Sequence, residues 1–202
     1  MISVKKKAPL KSFKEFVHRE RPRDWSEIHT QKKYPDLYDD TKAALVNEQG
    51  GVSAYTEEPL PRNALETHID HFRKRDLFPN MTYDWNNLFV DGLSENYGAK
   101  FKDKHVKKAD YALLISPAET DVERFFTYME NGEIVVAKGL SAHDAKRAAF
   151  TIKMFNLADS RLTARRATVI KSIRACPDLT PNDIRAAMQS QGFRTVVESI
   201  LA

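Results

Sequence analysis

Two histidines and an aspartate lie within four residues of one another, in the segment His68-Ile69-Asp70-His71. Side chains of an extended segment alternate between two faces, so His68 and Asp70 would share one face and His71 would take the other. A proton-accepting imidazole and a metal-binding carboxylate would then lie side by side without competing for one orientation. A one-metal phosphodiesterase needs this combination: a general base, a residue that orients the base, and hard oxygen ligands.

More polar residues follow within thirty positions of this segment. Asn87 precedes the apolar segment 88–90, and Asn96 and Lys100 come a few residues later. Each feature also has a plain structural interpretation. The histidine segment would fit a surface strand with a local ion pair, and Asn96 would fit a cap at the start of a helix.

Two strands and a helix are predicted to position these residues. The strands lie near 67–72 and 88–90, where apolar and β-prone residues predominate. Asp91-Gly92 is typical of a turn. Ser94 would then N-cap a short helix that carries the second asparagine and the lysine.

The flanking regions are predicted to be mostly helical, with one hairpin centred on Asn131-Gly132. Helices are expected near 10–17, over 36–48, from Ser141, over 162–173 and, as the last one, from Thr180. The predicted fold class is α+β, in three parts. Residues 1–47 form a basic, helical segment that could bind a partner, 48–110 form the central module, and 111–202 form a hairpin with a helical region packed on that module.

The composition of the 202-residue chain fits a folded globule, with 42% hydrophobic and 30% charged residues and a net charge of +4. No apolar run approaches the roughly 18 to 20 residues that a membrane span needs, and the N-terminal segment lacks the apolar region of a signal peptide. Cys176 is the single cysteine, which excludes an internal disulfide and a thiolate zinc site. A reduced, cytoplasmic protein without membrane contact is therefore expected.

The central module resembles the HNH endonucleases, whose ββα-metal unit carries its catalytic groups on two strands and a helix. Asp70-His71 is similar to the aspartate–histidine pair of that family, Asn87 to its asparagine before a leucine, and Asn96 to its third residue. The sequences of segments 68–72, 83–88 and 48–51 are similar to those of the PtuB-type HNH subunits of Septu anti-phage systems, which also accompany retrons. The resemblance extends over most of the chain.

The sequence departs from many relatives at two paired cysteine motifs that hold a structural zinc ion around the module. The corresponding positions read Ser53-Ala54-Tyr55-Thr56 and Gly92-Leu93-Ser94-Glu95. All four thiols are absent, so no structural zinc is expected. The module would then depend on packing, or on a partner, for its rigidity.

The resemblance implies a role for each residue of the motif. His71 would be the general base, and Asp70 and Asn96 would hold one Mg²⁺ or Mn²⁺ ion. Asn87 would orient the His71 ring or pin the loop. His68 would be an extra ligand or would support one. Arg73 and Lys100 would contact the phosphates of a nucleic acid.

The implied function is that of a metal-dependent hydrolase, an HNH endonuclease that serves as the effector of an antiviral defence system. Its expected partners are a PtuA-like ATPase, a nucleic acid (DNA or a host RNA such as tRNA), and a retron reverse transcriptase with its msDNA. The alternative is a non-catalytic nucleic-acid-binding or assembly subunit with a decayed nuclease module. A zinc hydrolase that uses His68, Asp70, His71 and His105 is a third interpretation.

Two surface features leave alternatives open. The lysines of 100–108 would form either a solvated face or a nucleic-acid groove. Trp85 and Phe89 would be either core residues or platforms on which bases stack.

Overall fold

The computed structural model describes residues 1–61 and 63–201, and its architecture is α+β, as predicted. Ala202, the end of the predicted C-terminal region, lies outside the described residues. Eight α-helices occur in this part of the chain: α1 (Lys11–Glu20), α2 (Glu27–Thr30), α3 (Leu37–Glu48), α4 (Ala99–His105), α5 (Ala142–Met154), α6 (Ser160–Arg174), α7 (Pro181–Met188) and α8 (Arg194–Leu201). None of the helices described is long and apolar enough to cross a membrane.

Four short strands form two separate antiparallel pairs: β1 (Thr67–His71) with β2 (Leu88–Gly92), and β3 (Phe126–Tyr128) with β4 (Ile134–Val136). The second pair is the hairpin predicted around Asn131-Gly132. The first pair confirms both strands predicted for the central module. The turn predicted at Asp91-Gly92 is wrong, because Asp91 continues β2 and pairs with His68.

The register of β1 and β2 divides their side chains between two faces. Ile69, His71, Leu88 and Val90 form what we call the front face, and His68, Asp70, Phe89 and Asp91 form the back face. Directly opposed residues belong to the same face, so the pairs His71–Leu88 and Asp70–Phe89 lie on opposite sides of the hairpin.

Each face is covered by a different part of the chain. The front face packs on the N-terminal helices, in a buried cluster that includes Phe13, Phe16, Trp25, Ile28 and Leu45. The back face packs on α4, α5 and the segments around them, in a cluster that includes Tyr55, Phe72, Tyr111 and Phe155. Trp85 and Phe89 are buried in these clusters and are core residues.

Helix α4 begins four residues later than the Ser94 cap predicts, and it carries Lys100 but not Asn96. Gly98 precedes the helix with φ of 78°, a conformation that excludes a regular helix at this residue. The first free N–H group of the helix, that of Ala99, donates to the Asp91 carboxylate at 2.7 Å. A side chain on β2 therefore caps α4 from outside the helix.

The C-terminal helices extend beyond the prediction. Ser141 accepts a hydrogen bond from the Asp144 N–H as an N-cap, as expected, and the predicted helix start at Thr180 carries a capping box with Asp183. The helix that begins at Pro181 is not the last one, because α8 follows it. Val196 and Val197 of α8 are buried in a third cluster with residues of α6 and α7, and this packing explains why the chain resumes a helix there.

Candidate active site

The His71 imidazole lies at the end of β1, on the front face. Its Nε2 atom is 2.9 Å from the Thr82 carbonyl oxygen. Because a carbonyl only accepts hydrogen bonds, Nε2 carries the proton and Nδ1 keeps its lone pair. The residue is 6% exposed, and the Trp25 ring lies edge-on against it with 4.5 Å between ring centres.

Burial lowers the pKa of the His71 imidazole to about 4, and the nearby Asp70 charge opposes this effect only in part. The ring is therefore neutral at physiological pH. A neutral imidazole with a fixed tautomer has the form that a general base requires.

The Asn87 side chain ties together the two ends of the β1–β2 loop. Its Oδ1 atom accepts from the Arg73 N–H at 2.7 Å, and its Nδ2 atom donates to the carbonyl oxygens of Arg73 and Met81, both at 3.1 Å. The Met81 carbonyl precedes Thr82, whose own carbonyl orients His71. Of the two roles expected for Asn87, the hydrogen bonds correspond to the one that pins the loop.

Asp70 lies on the back face and is 2% exposed. Its carboxylate accepts a hydrogen bond from the Tyr55 hydroxyl at 2.5 Å and contacts the Lys102 ammonium at 3.1 and 3.3 Å. Burial alone would raise the pKa of Asp70, but the Lys102 charge lowers it below the usual value. Asp70 is therefore an ionised partner in a buried ion pair.

Lys102 reaches Asp70 from α4 and is itself fully buried. Its ammonium also donates to the carbonyl oxygens of His71 and Phe72, both at 3.0 Å, and lies 3.1 Å from Asp103 Oδ1. Burial would lower the pKa of this ammonium, but the Asp70 and Asp103 carboxylates raise it. Five oxygen atoms therefore surround one permanent positive charge.

The expected ligands of a Mg²⁺ or Mn²⁺ ion, Asp70 and Asn96, lie in different surroundings. Among the described residues, Tyr55 and Lys102 donate hydrogen bonds to the Asp70 carboxylate, and Asn96 does not. Asn96 is exposed, and its backbone carbonyl accepts from Asn156 at 2.7 Å. The described residues contain no group of three or more His, Cys, Asp or Glu side chains that would hold a metal ion. In this arrangement the two predicted ligands do not fit a shared ion.

His68 lies on the back face, opposite Asp91 in the register. Its Nδ1 atom is buried and has no hydrogen-bond partner among the described residues. Its charge acts on both Asp70 and Asp91. His68 therefore belongs to the carboxylate-rich side of the hairpin and not to the side that carries His71.

The predicted phosphate contacts already have partners within the chain. The Arg73 guanidinium lies 5.1 Å from the centre of the Phe78 ring, and the Lys100 ammonium pairs with Glu95 at 2.9 Å. Arg75, two residues beyond Arg73, is exposed, and its charge lowers the pKa of His71. Of the basic residues that follow β1, Arg75 is the better placed to meet a phosphate beside His71.

Three residues at the site were missed by the sequence analysis: Trp25, Tyr55 and Lys102. Trp25 and Tyr55 both belong to segments without a chemical motif of their own. Lys102 lies in a lysine-rich segment that typically forms a solvated face. No local pattern distinguishes Lys102 from the other lysines of this segment.

The chain was also compared with known proteins. No protein-family model matches it, and no match was found among curated proteins.

Proposed function

We propose that this chain is a nucleic-acid endonuclease of the HNH type, in which His71 acts as the general base. One observation carries the proposal: the His71 ring is fixed by the Thr82 carbonyl, so that Nδ1 is the free acceptor. Two further features support it. Two antiparallel strands are followed by a helix in the order of a ββα unit, and Asn87 ties the loop between the strands.

In the proposed reaction, His71 Nδ1 accepts the proton of the nucleophile as its oxygen attacks phosphorus. The new phosphorus–oxygen bond forms while the bond to the leaving oxygen breaks, and that oxygen takes up a proton. A positioned general base typically accelerates such a step by about 10²- to 10⁴-fold. Arg75 is the exposed cation that would meet the phosphate.

Access to His71 is limited in the free chain, because Trp25 covers the ring and the Tyr83 hydroxyl donates to the Asp24 carbonyl at 2.6 Å. The segment before α2 must therefore shift before a phosphodiester reaches Nδ1. Control by a partner would fit this geometry, and the proposed partner is a PtuA-like ATPase in an anti-phage or retron-linked complex. Both DNA and a host RNA such as tRNA are candidate substrates.

A cleavage assay tests the proposal. The chain, with and without its partner ATPase, would be incubated with plasmid DNA and with total tRNA. His71→Ala is the test variant, and His143→Ala, which removes an exposed histidine on α5, is the matched control. We expect cleavage by the wild type and by the control, and a loss of about 100-fold or more in His71→Ala. Equal cleavage by His71→Ala would contradict the proposal.

A second candidate function, a non-catalytic nucleic-acid-binding or assembly subunit, is favoured by a specific observation. His71 is almost fully covered, and the Asp70 carboxylate is saturated by Lys102 and Tyr55. The same assay separates the two candidates. Retained nucleic-acid binding without cleavage of any substrate, in the presence of the partner, would favour this second function.

A further inference from the structure

The lysines of segment 100–108 differ in their surroundings. Two of them pair with Glu95 at the surface, and a third, Lys102, is buried. The last two, Lys107 and Lys108, are exposed, and they have no ion-pair partner in the part of the chain that the structure describes. These two ammonium groups are therefore available to an anion from outside the chain.

Lys108 shares an aromatic neighbour with Arg73, which follows β1. The Lys108 ammonium and the Arg73 guanidinium lie 5.5 and 5.1 Å from the centre of one ring, that of Phe78. Because an aromatic ring attracts cations, the half-buried Phe78 holds two positive charges close together. The Arg73 guanidinium has no hydrogen bond or ion pair with the described residues, so its N–H donors remain available.

Arg75 extends this group of cations toward the proposed catalytic base. It is exposed, it has no ion-pair partner among the residues described, and its positive charge acts on His71 and Asp24. The four cations without a carboxylate partner are called the basic patch: Arg73, Arg75, Lys107 and Lys108.

The carboxylates that neighbour the basic patch in sequence have other contacts. Asp76 lies 3.8 Å from the Lys74 ammonium, and Asp110 accepts a hydrogen bond from the Lys107 backbone N–H at 2.8 Å. Six arginines later in the chain do pair with carboxylates: Arg124, Arg147, Arg161, Arg165, Arg174 and Arg185. Unpaired cations held side by side repel one another, so a row of negative charges would stabilise the basic patch.

We infer that the basic patch is a docking surface for the phosphodiester backbone of a nucleic acid, with Arg73 and Lys108 on phosphates beyond the one that meets Arg75. The inference rests on the proposed function for the identity of this partner. Lysine and arginine side chains bind backbone phosphates whatever the sequence, and such contacts fix the position of a protein along the strand. Because the Asn87 amide holds the Arg73 backbone, the patch has a defined position relative to β1.

A nucleic acid fits the basic patch better than an anionic membrane does. Segments that bind a membrane surface combine cations with exposed apolar side chains that enter the lipid. The large apolar side chains that are exposed among the described residues lie elsewhere in the chain: Leu65, Leu93, Met129 and Leu179. The patch therefore offers cations for phosphates but no apolar anchor for lipid.

The basic patch lies open even though Trp25 covers His71. Three of its four cations are exposed while the imidazole is covered. A nucleic acid can therefore dock on the free chain before the segment that carries Trp25 shifts, and cleavage would wait for that shift.

Binding measured at several salt concentrations tests the inference. The wild type and the double variant Arg73→Met with Lys108→Met would be titrated into fluorescent single-stranded RNA, single-stranded DNA and duplex DNA, and followed by anisotropy. We expect the double variant to bind each of them about 10-fold more weakly. The slope of log Kd against log salt concentration should fall by about 1.4 for a single strand and by about 1.8 for a duplex.

The matched control is Lys138→Met with Lys171→Met, which removes two exposed lysines that have no ion-pair partner among the described residues. It changes the net charge equally and should bind like the wild type. Phe78→Leu keeps every cation of the patch and should still weaken binding about 2- to 5-fold, because the ring no longer holds two of them. Lys108→Met alone replaces an exposed side chain, so it carries the test if the double variant does not fold.

Equal affinity and equal salt slope for the patch variant and its control would overturn the inference. So would a wild type that binds none of the nucleic acids, or that binds phosphatidylserine vesicles more tightly than any of them. His71→Ala separates this inference from the proposed function, because it should lose cleavage in the presence of the partner and keep its binding. Loss of binding in the patch variant, without cleavage by the wild type, would reject the nuclease function and leave the docking surface standing.

Discussion

Asp70 and His71 are neighbours in the chain, yet their side chains lie on opposite faces of the β1–β2 hairpin in unlike surroundings. On the back face, Asp70 contacts an ammonium and a hydroxyl, and its charge acts on Asp91 and Asp103. On the front face, His71 meets an aromatic ring and one backbone carbonyl. Lys102 keeps Asp70 ionised and burial keeps His71 neutral, so two adjacent residues acquire different roles.

The difference shows what a short motif specifies. The alternation of a strand assigns adjacent residues to opposite faces, and the residues that pack on each face then decide what each side chain does. Those partners come from distant parts of the chain: Trp25 precedes β1 by more than forty residues, and Lys102 follows it by about thirty.

The largest effect is expected when the ion pair of the back face is broken. Lys102→Met should lower the free energy of unfolding by about 3–5 kcal/mol, because it leaves the Asp70 carboxylate buried without its partner. The double variant Asp70→Asn with Lys102→Met should be less destabilised than the sum of the single variants. Urea unfolding of the four proteins measures this coupling.

Lys104→Met is the matched control for the ion pair, since Lys104 lies on the same helix but is largely exposed and pairs with Glu95 at the surface. It should change stability by less than about 1 kcal/mol. If Lys102→Met were as mild as Lys104→Met, the contrast between a charged back face and a neutral front face would be lost.

The buried His71 on the front face should make the stability of the fold depend on pH. The pKa of His71 is about 4 in the folded chain, against an ordinary value of 6.5. As the pH falls below about 6.5, the unfolded chain binds this proton before the folded chain does, so stability falls until the pH reaches about 4. The loss attributable to this group is up to ~3 kcal/mol.

The pH effect can be assigned by comparing the wild type with His71→Gln, which cannot take up the proton. The difference in unfolding free energy between the two should shrink steadily between pH 6.5 and pH 4. A His71 NMR titration near the ordinary value would show instead that water reaches the ring.

The Asn87 side chain forms hydrogen bonds that hold the loop between the two strands. Asn87→Ala should cost about 1–3 kcal/mol, because it leaves the Arg73 N–H and the carbonyls of Arg73 and Met81 without their partner. Asn86→Ala removes an exposed amide one residue earlier and should be nearly neutral. Thermal unfolding of the two variants would show whether the clamp is specific to Asn87.

The smallest of these effects concerns the helix that carries Lys102. Gly98→Ala should cost about 1–2 kcal/mol, because essentially only glycine adopts a backbone with φ of 78° and ψ of −150°, and because the new Cβ would lie 2.4 Å from an Asp91 carboxylate oxygen. Gly92→Ala is the control, since its Cβ would meet no atom within 4 Å. Equal stability of the two variants would show that Asp91 does not fix the start of α4.

The sequence was sufficient to predict features that depend on neighbouring residues. The alternation of β1, the hairpin at Asn131-Gly132 and the N-cap at Ser141 all follow from local patterns. The residues that contact the catalytic candidates could not be predicted from local patterns, because these contacts depend on how distant segments pack. A lysine among lysines gives no sign that it is fully buried, and only the fold places Lys102 against Asp70.

The start of α4 shows the same limit. Ser94 is a good local cap, but the carboxylate that satisfies the helix belongs to Asp91 on β2, and Gly98 sets the break in the backbone. For this reason Asn96 lies outside the helix that was expected to carry it.

The most direct test of this division between the two faces is a crystal of the chain soaked in Mn²⁺, with the ion located by its anomalous scattering. We predict no Mn²⁺ at Asp70, and a Lys102 ammonium in contact with its carboxylate. An anomalous peak between Asp70 and Asn96, with Lys102 displaced, would contradict the account and restore the metal-dependent mechanism.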